Sequence, residues 1–269
     1  LTPILWQRSA NVPALVRLLQ SYLQRASFEI IQAKQLAPIL GVFDSLIKSK
    51  NTDHHGFFIL NTVVEYLDYQ AISGYVDSIW TILFLRLQSL QTVKFIKSLI
   101  VFMSLFCVKY GHNLLVESVH KVQPDLFMNI LQTFWIPHLH SITGDLEVKL
   151  CAVASTKLLC ESPLLLTDAS GVPWGKLLNN VITLLVRPEE ERVVEDADVP
   201  DIDEVVGYTA VYAQLHNAGK KEVDPVKDVQ DAKEFLASSP ARASGNIPGK
   251  FHILIQQAKF CNTYKCAIV

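Results

Sequence analysis

Histidine and cysteine are the residues of this chain whose chemistry could hold a metal or attack a substrate; there are eight of the first and five of the second. Two imidazoles share a helix face only at a spacing of three or four. His54 and His55 are adjacent, and His138 and His140 are two apart, so neither pair faces one metal ion. Cys107, Cys151, Cys160, Cys261 and Cys266 form no C-x-x-C. Their odd number, and apolar stripes around three of them, fit reduced thiols packed as small hydrophobes in an intracellular setting. A Cys/His nucleophilic pair would have to meet in space, which spacing does not reveal. No Gly-rich phosphate loop, G-x-S-x-G elbow or paired-carboxylate motif appears. The residues predict no enzyme: no catalytic residue, no metal and no cofactor.

The densest charge is a block made of Glu189, Glu190, Glu191, Glu195, Asp196, Asp198, Asp201, Asp203 and Glu204. Against one arginine these nine acids give a local charge of −8, leaving about +6 elsewhere in a chain of net charge −2. The block reads either as a solvated loop or as an electrostatic contact for a Lys/Arg-rich partner, which raises on-rate more than affinity. Asp201-Ile202-Asp203 only superficially resembles a calcium loop, because the glycine and final glutamate are missing. The modest overall charge gives no basic face for nucleic acid. Cys266-Ala267-Ile268-Val269 fits the outline of a prenylation signal, with an unfavoured last residue and no polybasic run before it.

The elements that carry these residues are helices. Stripes at i, i+3, i+4 and i+7 or i+8 run through Leu15/Leu18/Leu19/Tyr22, Leu60/Val63/Val64/Leu67, Ile79/Ile82/Leu83/Leu87, Phe127/Ile130/Leu131/Phe134 and Leu150/Val153/Ala154/Leu158. They predict helix pairs 11–25 with 28–48 and 53–67 with 71–88. A helix follows over 92–110, ended by Gly111, then 112–121 and 124–140. The fourth pair is 145–160 with 172–186. Asn11 is expected to cap the first helix and Pro13 to sit in its first turn. Pairs of roughly 40 residues cannot bury an apolar face alone and stack on their neighbours. The fold class predicted is all-α, a HEAT-repeat α-solenoid of stacked antiparallel helix pairs. Its solenoid should cover 1–188, an acidic loop 189–207, terminal helices 208–239, and a divergent, poorly ordered tail 240–269. The apolar run 99–108 is too short to span a bilayer, and no secretory signal opens the chain.

Several blocks are more specific than a HEAT pattern. Leu5-Trp6, Arg8 and Asn11-Val12-Pro13-Ala14-Leu15-Val16-Arg17-Leu18-Leu19-Gln20 come first. Gly41-Val42-Phe43, Asp53-His54, Gly56-Phe57, Lys94-Phe95-Ile96-Lys97-Ser98, Lys109-Tyr110-Gly111 and Thr156-Lys157-Leu158-Leu159 follow in order. The most specific is late: Asp201-Ile202-Asp203, Gly207-Tyr208, Gln214-Leu215, Ala218-Gly219-Lys220-Lys221-Glu222 and Asp224-Pro225. Collinear over about 4–249, these blocks resemble the cellular apoptosis susceptibility family, the karyopherin-β exportins that return importin-α from the nucleus.

The resemblance covers the C-terminal third or so of such an exportin and implies a piece of a longer receptor. It implies importin-α and Ran in its GTP form as partners, transient nuclear pore contacts, and shuttling between nucleus and cytoplasm. It implies neither nucleic acid nor a membrane span. Cargo would be held by dispersed contacts on the concave face, from second helices 28–48, 71–88, 124–140 and 172–186, with the acidic block against basic partner surfaces. A generic HEAT scaffold with another partner is the alternative. The first hairpin is expected to expose an apolar face that a preceding repeat would cover.

Overall fold

A computed structural model describes residues 3–188, 223–245 and 249–261. All regular structure among them is helical. The chain divides into two compact units, the first over 1–102 and the second from Met103 onward, apart from the segment 194–223.

In the first unit, α1 (Val12–Arg25), α2 (Ser27–Gln32), α3 (Leu36–Ile47), α4 (Asp53–Tyr66) and α5 (Val76–Ser89) precede the start of α6 (Val93–Tyr110). Helix α4 is the centre, packing against both α1 and α3. Phe57, Leu60, Val63, Val64 and Leu67 are all buried, so the stripe expected there is the observed core face. Phe57 lies 5.2 Å from Phe95, and Trp80 lies 5.3 Å from Phe102, centroid to centroid. Each such buried ring contributes about 1.5–3 kcal/mol by leaving water.

Three local readings need correction. Helix α1 buries Val12, Val16, Leu19 and Leu23, while Leu18 and Tyr22 are exposed. The helix is apolar on two faces, and periodicity alone does not say which one turns inward. With Phe28 and Ile31 of α2, Leu18 and Tyr22 leave an exposed apolar surface. Asn11 does not cap: it is helical itself, and its Nδ2 donates to the Leu5 carbonyl at 3.0 Å. The helix expected over 28–48 is two helices. Lys34 adopts a left-handed φ of 54°, Lys34 N–H donates to Ile31 and Gln35 N–H to the Ile30 carbonyl. That is a Schellman ending with lysine where glycine is usual.

The second unit continues α6 and adds α7 (His112–Val122), α8 (Leu126–Ile130 extended by Leu131–Trp135 and Ile136–His138), α9 (Asp145–Glu161) and α10 (Gly171–Val186). Gly111, at φ 99°, separates α6 from α7 as expected. Leu131–Trp135 is a π-helical turn. Pro137 offers no N–H to the Thr133 carbonyl four residues back and its ring crowds that carbonyl, which favours a widened turn there. The extra residue moves the buried stripe from Ile130 and Leu131 to Trp135 and Ile136, leaving the expected Phe134 half-buried. Trp135 Nε1 donates to Ser155 Oγ at 3.1 Å, and Trp174 Nε1 to the Leu159 carbonyl at 2.9 Å.

Two further helices complete this unit: α11 (Ala232–Ser244) and α12 (Lys250–Cys261). Helix α11 packs on α9 and α12 on α10, so together they stack as a fifth pair upon the fourth. Within the stretch 208–239 expected to hold terminal helices, α11 begins after Asp231, whose side chain accepts from Lys233 N–H at 2.6 Å. It runs on through Pro240, past the boundary expected at 239. In the stretch 240–269, expected as a poorly ordered tail, the described residues are mainly helical, and Phe251 and Leu254 are buried. Gly171 makes the α10–α12 approach possible: a Cβ there would sit 2.7 Å from that of Gln257. Lys149 pairs with Asp224 at 2.5 Å, tying the Asp224-Pro225 turn to α9.

Candidate partner-binding surface

Glu189, Glu190, Glu191, Glu195, Asp196, Asp198, Asp201, Asp203 and Glu204 all lie outside the described residues, as does Cys266. The other half of the expected contact surface, the second helix of each pair, is described. In the first unit α5 turns Asp77, Ser78, Thr81, Leu85 and Gln88 to solvent. In the second, α8 exposes Asn129, Gln132 and Thr133, and α10 exposes Lys176, Asn179 and Thr183. The spacing of three and four puts each set on one helix face.

These faces carry short, mostly uncharged polar side chains, with Asp77 and Lys176 the charged members of the sets named. Several bond back to their own helix. Thr81 Oγ1 donates to the Asp77 carbonyl at 2.7 Å, and Thr183 Oγ1 to the Asn179 carbonyl at 2.9 Å. Such hydroxyls keep acceptor lone pairs for a partner but spend their proton locally. Each of these faces is therefore suited to weak polar contacts. Sequence reasoning located the helices but found their buried stripes, from which the solvent face follows only by elimination.

Beneath the surface, charge is handled internally. Asp53 and Arg86 are 1% and 6% exposed and pair at 2.8 Å. Arg86 Nε also donates to the Ile47 carbonyl at 3.0 Å, and its guanidinium lies 4.8 Å from the Phe95 ring centre. Burial raises the Asp53 carboxyl above its ordinary value, and the nearby Arg86 charge partly offsets this. Neither residue was singled out as a pair from the sequence, since 33 positions separate them.

His54 and His55 lie with ring centres 3.9 Å apart. His138 Nδ1 is 3.0 Å from the Phe134 carbonyl, within its own helix. Among the described residues no three His, Cys, Asp or Glu side chains gather as a metal site would require. No described helix is long and apolar enough to cross a membrane. Cys107, Cys151 and Cys160 are buried free thiols. Burial pushes each up to about 12, which removes the thiolate that nucleophilic chemistry needs.

Comparison with known proteins identifies the family of the chain. The family model for "CAS/CSE protein, C-terminus" matches residues 1–265. Exportin-2 of Xenopus laevis is 40% identical over 258 residues, 95% of this chain and 27% of the relative. Exportin-2 of Homo sapiens is 41% identical over 253 residues, 93% of this chain and 26% of the relative. The chain thus spans about a quarter of the length of the curated relatives it matches. A solved structure, "The exportin Cse1 in its cargo-free, cytoplasmic state", superposes with a TM-score of 0.77 at 23% identity, over 95% of this chain and 26% of the other. That likeness supports the all-α HEAT-repeat solenoid expected from periodicity. On the family match and the identity to exportin-2, the chain belongs to the CAS/CSE family of exportins, over that family's C-terminal region.

Proposed function

We propose that this chain is a segment of a nuclear export receptor that binds importin-α together with Ran in its GTP form, carrying importin-α from nucleus to cytoplasm. The observation that carries the reading is 40–41% identity to exportin-2 over nearly the whole chain. The polar faces of α5, α8 and α10 supply dispersed contacts, and the acidic block Glu189–Glu204 supplies attraction for basic partner surfaces. Binding through many weak contacts suits a receptor that must also release its cargo. Ran and importin-α would each strengthen the binding of the other, a coupling that is reciprocal by thermodynamic necessity. The exposed Leu18, Tyr22, Phe28 and Ile31 fit stacking by another helix pair in a longer array. The protein is read as a transport receptor that shuttles between nucleus and cytoplasm with transient pore contacts, without enzymatic chemistry.

A pull-down of importin-α by this chain, with and without GTP-locked Ran and at two salt concentrations, tests it. Capture that strengthens with Ran and weakens with salt supports the reading and implicates the acidic block. Folded protein that captures neither partner would overturn it for this segment.

A further inference from the structure

A cavity of about 540 Å³ opens in the second unit between α9 and α11. Leu166 and Phe235 give it apolar wall, and Lys157, Glu161, Ser239 and Arg242 give it polar groups. Arg242 is held in place from two sides. Its guanidinium carbon lies 5.1 Å from the Phe235 ring centre, and its Nη2 donates to Ser239 Oγ at 2.9 Å. Ser239 is itself fixed, since its hydroxyl donates to the Phe235 carbonyl at 2.7 Å. Among the described residues no further hydrogen bond engages the guanidinium, and Lys157, half-buried, makes no ion pair. Glu161 Oε2 lies 3.5 Å from His112 Nδ1.

We propose that this cleft binds an acidic segment of a protein partner. One carboxylate sits between Lys157 and Arg242, and a neighbouring apolar side chain rests on Leu166 and Phe235. Two cations and one carboxylate leave a local charge of +1, which a single carboxylate neutralises. A phosphate monoester would bring close to two negative charges against Glu161 and is disfavoured on that count. The stacked, planar guanidinium matches a carboxylate's two oxygens, whereas Lys157 adds a point charge. The apolar wall gives a free carboxylate such as acetate little to hold, so recognition needs the side chain beside it. This cleft is separate from the helix faces assigned to importin-α and Ran and does not rest on that assignment.

The test is a fluorescence anisotropy titration of the full chain with a short fluorescein-labelled peptide alternating Glu and Leu. Saturable binding is expected, weakened roughly tenfold or more by Lys157→Glu or Arg242→Glu. Lys121→Glu, the same charge change on an exposed position of α7, should alter it by less than about twofold. Circular dichroism melts check folding, and Lys157→Gln and Arg242→Gln replace any Glu variant that fails to fold. Absence of saturable binding to the folded chain overturns the proposal. So does an equal loss in all three Glu variants, or tighter binding of a matched phosphoserine peptide.

Discussion

Arg86 Nη2 lies 2.8 Å from Asp53 Oδ2, and it joins two helices of the first unit where neither charge reaches water. The same guanidinium satisfies the Ile47 carbonyl at the end of α3, so three helices meet on one side chain. Arg86→Ala would leave a buried carboxylate and a buried carbonyl without their partner. The expected loss is about 3–5 kcal/mol, read from the urea midpoint. Arg86→Lys should recover only part of it, because an ammonium lacks the fork that reaches both acceptors.

Asp53 also sets a pH dependence. Its folded value is raised from 3.8 by burial, so the folded state holds this proton more tightly than the unfolded state. The contribution is therefore most favourable below 3.8 and declines as pH rises through the raised folded value. Asp53→Asn should remove that decline from a plot of stability against pH. An unchanged slope would show that the raised carboxyl is not Asp53.

Lys34 occupies a left-handed position at the break between α2 and α3. Glycine adopts that φ without a Cβ clash. Lys34→Gly should stabilise the chain by about 0.5–1 kcal/mol, despite glycine's greater freedom when unfolded. Lys34→Val at the same site should destabilise it, and chemical denaturation compares the two.

Gly171 lets α12 approach α10. In Gly171→Val the new side chain meets Gln257, at 2.7 Å from its Cβ even for the first added carbon. An overpacking cost of about 1–3 kcal/mol is expected. Faster amide exchange over 250–261, with α3 to α5 unaffected, would locate the damage in the fifth pair.

The three buried thiols make a reactivity prediction. With values pushed up to about 12, Cys107, Cys151 and Cys160 should resist iodoacetamide at pH 8 in the folded protein. In a chain carrying Cys261→Ser and Cys266→Ser, alkylation should be negligible until urea unfolds it, then reach three equivalents. Modification before unfolding would contradict the burial.

Much of the fold was legible because a buried helix stripe is a local property. Leu60, Val63, Val64 and Leu67 repeat at helical spacing and are buried together, as are Leu150, Val153, Ala154 and Leu158. Legibility failed where a helix offers two apolar faces, as α1 does with Leu18 against Leu19. It failed again where backbone overrides composition, at Lys34 and through Pro240. Helix α12 was missed because 240–269 read as a divergent tail, while the partner that holds it lies 60 and more residues earlier on α10. The resemblance carried by Asn11 to Gln20 and Ala218 to Pro225 identified the family more firmly than any periodicity. The Lys157–Arg242 cleft had no local signal, since 85 positions separate its two cations and only packing brings their helices together.

The widened turn at Leu131–Trp135 has a consequence for how this chain tolerates indels. Such a turn accommodates one more residue than the regular spiral and resets the phase immediately afterwards, so Trp135 still finds Ser155. Removing one residue there should let the spiral tighten without rotating everything downstream, provided Pro137 is also replaced. A length change in this helix can thus be confined to a single turn, leaving the neighbouring pairs in register.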